Sequence, residues 1–162
     1  MSQTIRDAEI VFGVYLYLTD CGYKVFCDWI AAPEVDRSEV SPENAAFVRK
    51  TMAISDCLMF LDTQQADQSL WMCWELGWFD GSKGKVCVVP VLQESEEYRE
   101  REFLGLYPYV VIDALGQLRI KRSSLGRTKS LILAEAPSSR SFSEWKNAGD
   151  SYLPHVGSGW RD

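Results

Sequence analysis

"CLMFLDTQQADQSLWMCWELGWFDGSKGKVCVVPVL", residues 57–92, is the stretch that decides the fold. It opens on an apolar run, Cys57 to Asp62, of strand length and closes on another, Lys85 to Leu92. Both are apolar nearly throughout, as in strands covered on two faces. Between them Met72, Leu76 and Phe79 recur at helical spacing, suited to face a sheet. Trp71, Glu75 and Trp78 fill the neighbouring stripe at i, i+4 and i+7. Strand, helix and strand in this order form the unit of a parallel sheet.

Working outward, Asp7 to Cys21 places Ile10, Val11, Val14, Tyr15 and Leu18 at helical spacing, and Gly22 stops the helix. "YKVFCD", 23–28, reads as a strand, followed by a long irregular connection, Trp29 to Val40. Ser41 caps the next helix, with Pro42 in its first position and Ala45, Val48 and Met52 along one side. Downstream, "SEEYREREF" reads as a charged helical turn and "YVVIDALGQLRIKR" as two β-runs about a Leu-Gly turn. "SFSEWKNAG" reads as a closing helix.

The pattern predicts one α/β domain over residues 1–150 and a tail over 151–162. The sheet is expected to be open, mostly parallel and flavodoxin-like, with helices on both faces and 23–28, 57–62 and 85–91 as adjacent parallel strands. No apolar β-run precedes the first helix. In a doubly wound sheet the first strand is central and borders the ligand crevice. That strand is expected to be missing, to lie upstream, or to be improvised from another segment.

Composition narrows the function. Net charge of −6 argues against a nucleic-acid surface. No apolar run reaches the roughly 18 residues of a membrane span. "MSQTIRDAEI" lacks the basic and apolar regions of a signal peptide, so a cytoplasmic location is expected. Five cysteines, an odd number without CxxC spacing, read as reduced thiols rather than a disulfide framework. One histidine, His155, lies in the tail, and no metal-ligand cluster is visible. Neither a metal nor a separate cofactor is expected.

The residue that stands out is Glu75. Its position at the border of the buried face, between two indoles, implies a partly desolvated carboxylate with a raised pKa and strong hydrogen bonds to a ligand hydroxyl. Such a group steadies a sugar oxocarbenium ion in glycosyl transfer. The competing reading is a rim glutamate paired with a nearby Lys or Arg.

"VDRSEVSPENAAFVRKTMAISDCLMFLDTQQADQSLWMCWELGWFDGSKGKVCVVPVL", 35–92, resembles the bacterial Toll/interleukin-1 receptor (TIR) domain family, as does "EFLGLYPYV" further on. Its most specific part is "SLWMCWELGWFDG", and the likeness runs from about Asp7 to Val110. The resemblance implies cleavage of the nicotinamide–ribose bond of NAD, giving ADP-ribose or a cyclised relative, in defence or signalling. NAD is then the substrate, and hydrolysis and cyclisation both stay open. The resemblance assigns the catalytic carboxylate to Glu75 and makes Trp29, Ser69 and Trp71 candidates for the substrate pocket. It maps the gating and assembly loop to Trp29–Val40, with Trp29, Ile30, Val35, Asp36 and Arg37 as contact residues. Self-association and a downstream effector protein are the partners it implies. Asp36 and Arg37 equally fit a clasp within the loop, and Arg49 fits a solvated helix face better than a phosphate ligand. Two other readings remain: a non-catalytic TIR assembly module, and an enzyme like the nucleoside 2-deoxyribosyltransferases.

Overall fold

In the computed structural model, residues 1–3, 7–31, 41–63, 69–91, 102–121 and 139–148 are described. Helix α1 (Ala8–Asp20) ends where Gly22 takes a left-handed φ of 84°. A single helical turn, α2 (Asp28–Ala31), precedes α3 (Pro42–Ile54) and strand β1 (Leu58–Asp62). Then come α4 (Leu70–Lys83), β2 (Val86–Pro90), β3 (Tyr109–Ile112), β4 (Leu118–Lys121), β5 (Ser139–Ser141) and α5 (Phe142–Asn147). A serine starts each of the last three helices by accepting a backbone N–H three residues on. Ser41 accepts from Asn44 at 3.1 Å, Ser69 from Met72 at 3.3 Å, and Ser141 from Glu144 at 3.1 Å. Glu144 returns the bond to the Ser141 N–H, completing a capping box.

The strands form one open mixed sheet in the order β1-β2-β3-β4-β5, the α/β flavodoxin-like arrangement expected from the sequence. β1 pairs with β2 in parallel along its whole length, from Leu58 opposite Val86 to Asp62 opposite Pro90. β2 and β3 are also parallel, and β3, β4 and β5 run antiparallel. The β3–β4 turn is fixed by Asp113, whose carboxylate accepts from Leu115 and Gln117 N–H groups at 2.9 Å each. Gly116 supplies the left-handed step there, with φ of 71°.

Alternation along β1 divides the core. Leu58 and Phe60 join Val86, Val88, Met52 of α3, and Met72, Leu76 and Phe79 of α4 on one face. Met59 joins Cys87, Leu18 of α1, and Phe142 and Trp145 of α5 on the other. Val11, Cys27 and Leu61 extend the α1 face. Every residue of β1 is buried, as its unbroken apolar run implied. Among the described residues no helix is long and apolar enough to cross a membrane.

Residues 23–27 do not form the expected strand. A strand needs a hydrogen-bonded ladder on at least one edge. Here the neighbouring segment is Met1–Gln3, which donates one backbone bond, from Met1 N to Phe26 O at 2.9 Å. The segment's apolar residues are explained by packing instead. Tyr23 and Val25 lie against the α1–α5 cluster, while the Phe26 ring stands 6.0 Å from that of Phe47 on α3.

The edge of β1 where a first strand would lie is taken by the Met1–Gln3 segment. Ser2 makes a parallel bridge to Phe60 on the outer edge of β1. Its N–H donates to Met59 O at 2.8 Å, and its carbonyl accepts from Leu61 N at 3.1 Å. Three residues thus occupy the place where the sequence pattern showed no strand. The tail, 151–162, lies outside the described residues.

Candidate active site

Helix α4, which carries Glu75, is fixed at both ends. Ser69 caps the start, and Gly84, at φ of 63°, ends the helix with its N–H on the carbonyls of Phe79 and Asp80. Lys83 reaches across to the C-terminal end of α3, donating to Ala53 O and Ser55 O at 2.6 and 2.5 Å. Met72, Leu76 and Phe79 bury against the sheet, which leaves Glu75 half-buried at the margin of that contact.

Glu75 meets Ser2 there. The Ser2 hydroxyl donates to Glu75 Oε2, and Ser2 is 1% exposed. Burial pushes the Glu75 carboxyl from its usual 4.5 up to about 7. The Ser2 hydrogen bond and the Met1 amine favour the ionised form, and Asp28 adds to the upward push. Near neutral pH the group is therefore divided between its acid and its base. Asp28 is itself held by Gln3, whose Nε2 donates to Oδ1 at 2.7 Å, and by the Trp29 N–H at 2.9 Å.

Gln3, Phe26, Asp28, Val48 and Glu75 line a cleft between α3, α4 and the Met1–Gln3 segment. Its enclosed part, about 30 Å³, has room for one or two waters, and the cleft measures about 460 Å³ with its open mouth included. A second cavity, about 1000 Å³ with its open mouth included, lies on the α1 face against Val14, Tyr17, Val89 and Ile112. Among the described residues its lining carries no carboxylate, imidazole or thiol. Chemistry, rather than size, singles out the cleft at Glu75.

The other candidates are dispersed. Ser69 uses its hydroxyl in the α4 cap. Trp71 packs edge-on against Trp74, with centroids 5.1 Å apart and planes at 82°, and Trp78 packs against Phe79. Trp29 lies with Val11, Cys27 and Leu61 on the α1 face, its ring 6.3 Å from Phe12, so it is not part of the Glu75 cleft. Ile30 packs against the same cluster. Val35, Asp36 and Arg37 lie outside the described residues. Arg49 is exposed, with its guanidinium 5.9 Å from the Trp74 ring centre.

Sequence reasoning missed Ser2, Gln3 and Asp28. Their signal was a polar start to the chain and an acid ending an apolar run, too weak to single out without knowing which segments adjoin.

No family model matches the chain. Over 112 residues it is 45% identical to "Probable 3' cyclic ADP-D-ribose synthase ThsB'" of Bacillus cereus (strain MSX-D12), a match covering 68% of this chain and 58% of that protein. The chain thus spans little more than half the length of the curated relative it matches, and over that span the two are similar in sequence at nearly every second residue.

Proposed function

We propose that this protein is a bacterial TIR-type enzyme that breaks the nicotinamide–ribose bond of NAD and closes the ADP-ribose unit into a cyclic product. The structural observation that carries the reading is Glu75, an inward-facing carboxylate bonded to Ser2 and titrating near neutrality. The identity to a protein named a cyclic ADP-ribose synthase supports the choice of substrate and product.

In this mechanism the glycosidic C–N bond breaks and its electron pair leaves with nicotinamide. The ribosyl centre becomes cationic, and ionised Glu75 stabilises that charge in a partly desolvated setting, where the interaction is stronger than in water. A nucleophile from the same molecule then attacks and closes the ring. If that nucleophile is a hydroxyl, it must lose a proton. A carboxylate with a pKa of about 7 is matched to accept it.

The test is nicotinamide release from NAD by wild-type protein and by Glu75→Gln, with the nucleotide product separated by chromatography. Loss of the charge should cost about 10²–10³-fold in turnover while the variant stays folded, the usual scale for one electrostatic stabiliser. Equal rates for the two proteins would remove Glu75 from the chemistry. A folded wild type that leaves NAD intact would instead support the non-catalytic assembly reading.

A further inference from the structure

We propose that Ser2 is the positioning residue of this site: it clamps one oxygen of Glu75 so that the other is presented to the ligand. The inference rests on the reading of Glu75 as the reacting carboxylate.

The geometry has two independent parts. Backbone bonds on both sides of Ser2, to Met59 O and from Leu61 N, seat the residue on the edge of β1 without using its side chain. The hydroxyl is therefore free to act on α4, and it donates to Glu75 Oε2 from a site that is 1% exposed. A carboxylate on a flexible glutamate stem has three rotatable bonds and loses effectiveness when it wanders. Tying Oε2 to a buried hydroxyl, itself carried by the sheet, fixes the plane of the carboxyl group and leaves Oε1 as the acceptor for a ribose hydroxyl or the developing cation. Met1–Gln3 thus completes the site as well as the sheet edge. The same hydrogen bond favours the ionised form, against burial and the nearby Asp28 and together with the Met1 amine.

This division of labour makes the hydroxyl separable from the fold. Ser2→Ala keeps the backbone bridge and removes the clamp, whereas Ser2→Thr keeps both. Two readouts on the full chain distinguish positioning from mere support. The first is titration of the Glu75 carboxyl by carbon-13 NMR after glutamate labelling, with Glu75→Gln identifying the resonance. The second is the pH profile of NAD cleavage, with kcat and KM determined separately.

Ser2→Ala should raise the Glu75 midpoint by about one pH unit and lower kcat about tenfold with little change in KM, and Ser2→Thr should restore both. An unshifted midpoint in Ser2→Ala overturns the proposal, as does a shifted midpoint with unchanged kcat. If wild-type protein does not cleave NAD, the enzymatic reading falls by itself. The clamp then stands or falls on the NMR midpoint alone.

Discussion

At the scale of the residue, the unusual group is a glutamate that ionises late. Its folded pKa of about 7 lies above the ordinary 4.5, so the fold binds this proton more tightly than the unfolded chain does. The stability it contributes is complete below the ordinary carboxyl range and is lost as pH rises through about 7. Glu75→Gln removes that loss. Its unfolding free energy should match wild type near pH 4 and exceed it at pH 8, by up to about 3 kcal/mol for a shift of this size. Urea unfolding at the two pH values checks this, and a pH-independent difference would contradict the raised pKa. Catalysis should show the complementary trend, with kcat/KM rising toward a plateau above pH 7 as the carboxylate ionises.

At the scale of the element, Gly77 within α4 and Gly84 just past its end look alike in sequence and differ in structure. Gly77 lies within the helix, exposed, and a methyl group added there meets nothing within 4 Å. Gly84 lies just past the end in the left-handed region, where a side chain is strained. Gly77→Ala should therefore stabilise the protein by about 0.5–1 kcal/mol, the helix-propensity difference. Gly84→Ala should destabilise it by about 1 kcal/mol through backbone strain. Chemical denaturation of the two variants should give stability changes of opposite sign, and equal signs would contradict a helix end at Gly84. The same helix end carries Lys83, whose ammonium both holds the α3 carbonyls and stands 5.7 Å from the Phe79 ring centre.

At the scale of the whole molecule, the two segments that carry the family resemblance meet. Asp80, from "WFDG", accepts from the Tyr107 hydroxyl of "EFLGLYPYV" at 3.0 Å. This bond ties α4 to the segment that leads into β3. Tyr107 is buried, and burial together with Asp80 pushes its hydroxyl above the ordinary tyrosine range, so it remains a donor at any working pH. Tyr107→Phe keeps the ring's packing and leaves Asp80 Oδ2 without its donor. The expected cost is about 1–3 kcal/mol, read as a lower denaturation midpoint. A ligand-free NMR spectrum should show the shifts concentrated at α4 and β3. An unchanged midpoint would show that solvent already satisfies Asp80. On the other face of the sheet, α5 is held by buried Phe142 and Trp145 more than by the Lys146–Asp56 ion pair. That pair is 2.7 Å long, but Asp56 is 69% exposed, and such surface pairs contribute little.

What the sequence determined by itself was everything carried by local periodicity and capping. The apolar runs holding Leu58–Asp62 and Val86–Pro90 became paired parallel strands because their apolar residues need cover on two faces. Ser41 started its helix, and Gly22 stopped another, through local geometry that no distant contact has to supply. The buried stripe Met72, Leu76 and Phe79 was legible from spacing alone, and with it the marginal position of Glu75. Tertiary structure decided the rest, because strand pairing and active sites depend on which segments become neighbours. "YKVFCD" has the composition of a strand but lacks a ladder, while Met1–Gln3 lacks that composition and sits at the sheet edge. Trp29, plausible as a stacking residue from its place in the chain, went to the opposite face because its neighbours Cys27 and Ile30 pack under α1. Ser2 reached Glu75 across 73 positions of sequence, a contact fixed by two backbone hydrogen bonds to β1 that no periodicity records.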